Sequence, residues 1–192
     1  MTAVIAVDGP SGSGKSSTSR GVATKLGFAY LDTGAMYRAM TWAMLNAGVD
    51  VHDAPAVAAA ASGVQIVSGT DPQEPTITVD GVDVAGPIRG SDVTAAVSHV
   101  ASVPQVRSQL VALQRAAIAA AGLGIVAEGR DIGTAVAPDA DLKIYLVADP
   151  VARAERRAAE LGVEDANAMA EALAKRDEID SNRTASPLTQ AA

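Results

Sequence analysis

The chain has 192 residues, 15 basic against 22 acidic side chains, a net charge of −7 and an isoelectric point near 4.7. That length holds one main core with a small appendage, and the acidic balance argues against a protein that grips nucleic acid through its phosphates. With no cysteine there is no disulfide scaffold, thiolate metal site or cysteine nucleophile; no N-terminal stretch has the length and flanks of a signal peptide or membrane span, so a soluble cytoplasmic protein is expected.

Val4 to Val7 reads as a short, fully apolar strand, and the helical spacing from Lys15 to Leu26 reads as a helix. Between them lies Gly9-Pro10-Ser11-Gly12-Ser13-Gly14-Lys15-Ser16, followed by Ser17. This is GxxxxGK[ST] between a strand and a helix, the context in which the pattern binds phosphate. Glycines at 9, 12 and 14 let backbone N–H groups turn inward as a nest at a helix N-terminus. Lys15 is placed to reach the β- and γ-phosphates, the Ser16 hydroxyl to hold Mg²⁺, and Asp8 to meet the metal through water or directly. The residues thus point to ATP with Mg²⁺ and leave the phosphoryl acceptor open.

Ala29–Leu31 is a short strand ending at Asp32-Thr33-Gly34, and a helix follows from about Ala35 to Ala47, stopped by Gly48. Thr33 is read as its cap, with Tyr37 and Arg38 one turn on, suited to stacking on a base and clamping a phosphate. Asp53-Ala54-Pro55 opens a helix to about Ser62. The period then changes: Val64–Val67, Thr76–Val79 and Val82–Ala85 are short strands, the last two joined across Asp80-Gly81, a hairpin signal. This patch, about 63–87, is placed as a small inserted lobe.

Helices resume from Asp92 to about Ala101 and from Pro104 to Ala121, the second carrying Arg107. Ile125–Ala127 is a strand feeding Glu128-Gly129-Arg130-Asp131, at the carboxyl edge of the sheet where open α/β folds bind ligands. Glu128 there can order water around Mg²⁺. Leu142–Val147 is a further apolar strand; Pro150 opens a helix to about Leu161, and Asp165–Ser181 is the last. Arg153, Arg156 and Arg157 share one helix face. Such a cluster is either a solvated face compensated by Glu155 and Glu160 or a mobile lid over a transferring phosphate. Arg176, Asp180 and Arg183 form another stripe, either an ion-pair ladder or a base-and-phosphate reader. Four lysines against eleven arginines suit planar forks on phosphate oxygens. Strands alternating with helices, the first strands being continuous apolar runs, give an α/β fold with a parallel sheet covered on both faces.

With these residues gathered, the chain resembles the bacterial cytidylate kinases, the CMP/dCMP branch of the nucleoside monophosphate kinases. The resemblance rests on Asp8 through Ser16, Leu31 through Arg38, Glu128 through Thr134, and Arg176-Asp177 through Asn182-Arg183. It implies a P-loop NTPase fold with a five-stranded parallel sheet in a core of residues 1–34 and 88–192. It also implies a lid at about 150–165 and a monophosphate-binding region at 35–87 containing the β insert. By that resemblance Thr33 and Asp180, helped by Arg107, recognise the cytosine edge; Tyr37, Arg38 and Arg130 hold the monophosphate with Arg183 reaching toward it; Asp131 meets the sugar. Lys15, Arg153, Arg157 and Arg176 would clamp the transferring phosphoryl group. Such kinases are typically monomeric and continue past Pro187-Leu188 with a strand and helix; here the sequence ends at Ala192, so either it stops early or the final strand is missing and the sheet has an open edge. The implied reaction is transfer of the γ-phosphoryl group of ATP to CMP or dCMP. A P-loop kinase for UMP, AMP or shikimate, or a nucleotide-dependent switch module, stands as the alternative.

Overall fold

The computed structural model describes residues 2–161, 165–182 and 186–191. Strand β1 (Ala3–Asp8) leads through the glycine-rich loop into helix α1 (Lys15–Leu26), and β2 (Ala29–Asp32) runs without a loop into α2 (Thr33–Asn46). After α3 (Ala54–Ala61) come the short strands β3 (Ile66–Ser68), β4 (Ile77–Val79) and β5 (Val82–Asp83). A 3₁₀ turn (Pro87–Arg89) then precedes α4 (Ser91–Ser102) and α5 (Pro104–Ala120). Strand β6 (Gly124–Gly129), a π-helical turn (Ile132–Val136), β7 (Leu142–Tyr145), α6 (Pro150–Leu161) and α7 (Ala166–Asn182) complete the described elements.

Four strands make the main sheet in the order β2-β6-β1-β7, all parallel. Side chains alternate across it, as pleating requires. Ile5, Val7, Tyr30 and Val126 pack toward Ala23 of α1, while Ala6, Leu31, Ile125 and Ala127 join the larger core with α2 and α5. Met36, Met40 and Met44, at helical spacing on α2, pack in that core with Val106 and Leu110 of α5. Both faces are covered, which is why these strands read as unbroken apolar runs.

The five strands implied by resemblance are four among the described residues, which beyond β7 form α6 and α7. Leu142 of β7 is half exposed and Val147, just past its end, largely so. At the opposite edge the Tyr30 N–H of β2 donates to the Thr70 carbonyl at 2.8 Å, so a turn of the insert covers that strand.

The insert is an antiparallel sheet, β3-β4-β5, whose Ile66, Ile77 and Val79 join the main core against α2. Its hairpin turns at Asp80-Gly81 with φ of 49° and 82°, the positive pair a two-residue I′ turn needs. Strands here end earlier than their apolar runs: β5 stops at Asp83 and β7 at Tyr145. Asp32, rather than Thr33, caps α2, its carboxylate accepting from the Ala35 N–H at 2.9 Å. Threonine is instead the first helical residue and points its hydroxyl elsewhere. No described helix is long and apolar enough to cross a membrane.

Candidate active site

The phosphate loop is shaped by what passes beside it. Gly9 has φ +146°, and a Cβ there would lie 2.1 Å from the Leu146 carbonyl oxygen; at Gly12, φ is +73° and a Cβ would meet the Arg153 carbonyl oxygen at 2.9 Å. Only glycine fits either position. Gly14 precedes α1 and offers no side-chain cap, and the first helical bond runs from the Thr18 N–H to the Gly14 carbonyl. The N–H groups of the first turn thus face an anion site with the positive end of the helix behind them. Lys15 Nζ donates to the Pro10 carbonyl at 2.6 Å. Burial, then the neighbouring Arg130 and Arg176 charges, push its ammonium down to about 7.

Three carboxylates stand at the carboxyl ends of β1, β2 and β6. In register, Asp32 pairs with Glu128, and Asp8 with Gly129. Glu128 is buried and accepts a short hydrogen bond from the Tyr30 hydroxyl. Burial, then the charge of Asp32, raises its carboxyl to about 7. The same burial holds the Tyr30 phenol far above its ordinary value. Asp8, expected at the metal directly or through water, is also held by backbone groups. Its two oxygens accept from the Ile132 and Gly133 N–H groups, each at 2.8 Å, so it holds the π turn after β6. Its pKa is raised, burial outweighing those two bonds.

A cleft of about 940 Å³ opens between the loop, α2 and the paired helices α6 and α7. Lys15, Arg20, Arg38, Arg89, Arg130, Arg156, Arg157 and Arg176 line it, with Asp32 and Glu128 at its base. Arg38 is oriented by the Ile88 carbonyl at 3.2 Å and Thr94 Oγ1 at 2.9 Å. Burial, then Arg176 and Arg157, depress Arg38 to about 9; burial, then Arg130, depress Arg176 to about 10. Guanidinium groups do not lose protons near neutrality, so these shifts measure desolvation and crowding of like charge that an anion would relieve.

Of the expected acceptor residues, Arg38 and Arg130 reach the cleft. Arg130 Nε donates to Asp180 Oδ2 at 2.9 Å and its Nη1 to the Gly9 carbonyl at 2.9 Å, so Asp180 is drawn to the phosphate loop through Arg130. Thr33 Oγ1 donates to the Glu128 carbonyl at 2.7 Å. Arg107 forms a buried ion pair with Asp131 and lies over the Tyr37 ring at 5.5 Å. Tyr37, Arg107 and Asp131 thus make a compact cluster beside the cleft, in which base- and sugar-reading groups engage one another. Arg153, expected on the transferring phosphate, donates from its Nη1 to the Ser11 carbonyl at 3.1 Å and to Asp177. It fastens α6 to the loop and α7, while Arg156 and Arg157 turn to the cleft. Arg183 lies outside the described residues.

Sequence reasoning passed over Arg20, Tyr30 and Arg89. Arg20 had a signal, standing one helical turn after Ser16 on the loop's own helix. Arg89 and Tyr30 had none, since their places follow from tertiary packing.

The sequence profile of the cytidylate kinase family matches residues 5–192. The chain is 59% identical over 188 residues to the cytidylate kinase of Streptomyces avermitilis, covering 98% of this chain and 81% of that protein. It is 62% identical over 188 residues to the cytidylate kinase of Streptomyces coelicolor, with the same coverage. Against the cytidylate kinase of Nocardia farcinica it is 53% identical over 193 residues, covering 98% of this chain and 83% of the relative.

Proposed function

The chain belongs to the cytidylate kinase family, its activity is ATP-dependent phosphorylation of CMP and dCMP to CDP and dCDP, and we propose that the arginine-lined cleft is where this transfer takes place. The observation that carries the reading is the convergence of Lys15, Arg38, Arg130, Arg157 and Arg176 on one cleft beside an uncapped helix N-terminus. The loop Gly9–Ser17 holds the triphosphate through backbone N–H groups and Lys15. Arg38 and Arg130 take the acceptor phosphate, and Arg183 is a further ligand for it. Thr33, Arg107 and Asp180 read the cytosine, Tyr37 supports it, and Asp131 meets the sugar when the Arg107–Asp131 pair opens to admit the acceptor. In domain terms, residues 1–34 and 88–192 act as the core with a lid near 150–165, and 35–87 carry the acceptor-side lobe.

The residues present suit a magnesium ion. Among the described residues no three acidic or histidine side chains form a metal cage, and Mg²⁺ in such kinases is held largely by substrate phosphates, with few protein ligands. Ser16 would hold it and Glu128 would order its water. Bound there, the ion supplies charge neutralisation and alignment of the phosphate oxygens.

The chain's own groups do the rest. A phosphate oxygen of CMP is already a competent nucleophile, so no general base is required, and catalysis is positioning plus charge stabilisation. Lys15 and Arg176 bear on the oxygens of the phosphoryl group in flight, and Arg157 closes from α6. Their mutual repulsion means each phosphate charge that enters is met by preorganised donors. Arg153 keeps the lid helix anchored to Ser11 and Asp177. The test is an acceptor panel of CMP, dCMP, UMP, AMP and shikimate with ATP. CMP and dCMP turn over fastest on this reading; turnover of another acceptor at higher kcat/KM, or ATP hydrolysis indifferent to every acceptor, overturns it.

A further inference from the structure

The β insert is held to the donor side of the molecule by one side chain from α1. Arg20 Nε donates to the Pro72 carbonyl at 2.8 Å and its Nη2 to the Gln73 carbonyl at 3.1 Å. The turn that presents these carbonyls is itself set: Asp71 Oδ1 accepts from the Gln73 N–H at 2.8 Å, and Thr70 lies against the edge of β2 through the Tyr30 N–H. A guanidinium fork matched to two successive carbonyls is a geometric fit that a point charge does not reproduce.

The braced turn leads onward to the acceptor side. It connects β3 to β4, and β4 pairs with β5, after which the chain enters the Pro87–Arg89 turn. That turn supplies the Ile88 carbonyl that orients Arg38 and places Arg89 in the cleft. Arg20 stands on the same helix as Lys15 and Ser16, one turn beyond them. A continuous series of contacts therefore joins the helix that holds the donor phosphates to the segment that aims the acceptor's arginine.

From this we infer that Arg20 is a positioning residue for phosphoryl transfer: by fastening the Thr70–Gln73 turn to the phosphate-loop helix, it fixes the acceptor-side lobe relative to the donor. The inference rests on the kinase reading above. Transfer rates are sensitive to misplacement of about 1 Å, which can cost about a hundredfold, so even partial loosening of this brace should register in kcat.

The experiment compares wild type, Arg20→Ala and Arg20→Lys in steady-state kinetics with ATP and CMP, alongside thermal unfolding and amide hydrogen exchange of residues 70–90. The expected result for Arg20→Ala is a fall in kcat of about tenfold or more, with KM for both substrates within about twofold of wild type. Exchange should quicken across 70–74 and 86–90, the unfolding temperature should hold, and Arg20→Lys should fall between the two. An unchanged kcat overturns the inference, as does a raised KM for ATP at constant kcat, which would make Arg20 a nucleotide contact. Equal losses in both variants that follow a lowered unfolding temperature reduce Arg20 to a stability residue and also overturn it. A wild-type chain that transfers nothing to CMP overturns the kinase reading first, an outcome distinct from wild-type activity that the substitutions leave untouched.

Discussion

Removing Arg107 should destabilise the molecule far more than removing both Arg107 and Asp131. The pair is buried on both sides, with side-chain exposures of 5% and 6%, and the guanidinium also covers the Tyr37 ring. Arg107→Met takes the guanidinium away from the buried Asp131 carboxylate, a loss of about 3–5 kcal/mol for pairs of this kind. Unfolding entropy is about 2.1 cal/mol/K per residue, so for a chain of this length the drop in Tm comes to about 8–12 °C. Arg107→Met with Asp131→Leu removes both charges of the pair and should recover most of that loss. Circular dichroism melts and urea titrations at pH 7 measure both, and CMP should raise the Tm of wild type but of neither variant. If Arg107→Met costs under about 1 kcal/mol, or the double variant loses the sum of two single losses, the pair is not the buried unit described.

Three further expectations concern the cleft. Arg176→Ala should lower kcat far more than it raises the KM for CMP; steady-state kinetics showing only a changed acceptor KM would remove Arg176 from the transferring phosphate. Gly9→Ala would place a methyl 2.1 Å from the Leu146 carbonyl oxygen, so nucleotide affinity by calorimetry should fall at least about tenfold, and near-native affinity would show that the loop tolerates displacement. Lys15, held down to about 7 by burial and the neighbouring arginines, is only partly charged near neutrality, and triphosphate favours its ammonium form. Nucleotide binding without metal at pH 7 should therefore take up protons, seen by calorimetry in buffers of different ionisation enthalpy, and uptake should shrink at pH 6, where Lys15 is already charged. Proton release at pH 7 would contradict the sign.

The phosphate loop was legible from sequence because its signal is local: eight consecutive residues between an apolar strand and a helix. The Asp80-Gly81 hairpin was legible for the same reason, since two residues with positive φ leave their mark in composition. What escaped was long-range. Asp8 reads as a metal candidate from its place before the loop, and nothing local shows that its oxygens also accept from a π turn more than a hundred residues away. Arg153 reads as a catalytic arginine from its helix face, and nothing local shows its bonds to Ser11 and Asp177. The choice between Asp32 and Thr33 as cap turned on β2 running straight into α2, which places threonine inside the first turn. Arg107 and Asp131 could each be named as ligand-binding, but their pairing with each other depends on α5 packing against the segment after β6.

The strand order has a consequence for how the donor site comes into being. β1 pairs with β6 and β7, Ala3 opposite Gly124, and β2 pairs with β6 alone, Ala29 opposite Ile125. The two strands synthesised first have no partner in each other. At synthesis rates of about 5–20 residues per second, β1 and β2 wait on the order of 5–25 seconds before β6 emerges to join them. Throughout that interval the glycine-rich loop has neither the Leu146 carbonyl nor Arg153 beside it to define its path, so the first binding motif to be translated is among the last to take shape. The parallel sheet closes through contacts of high sequence separation, a topology that folds slowly for its size.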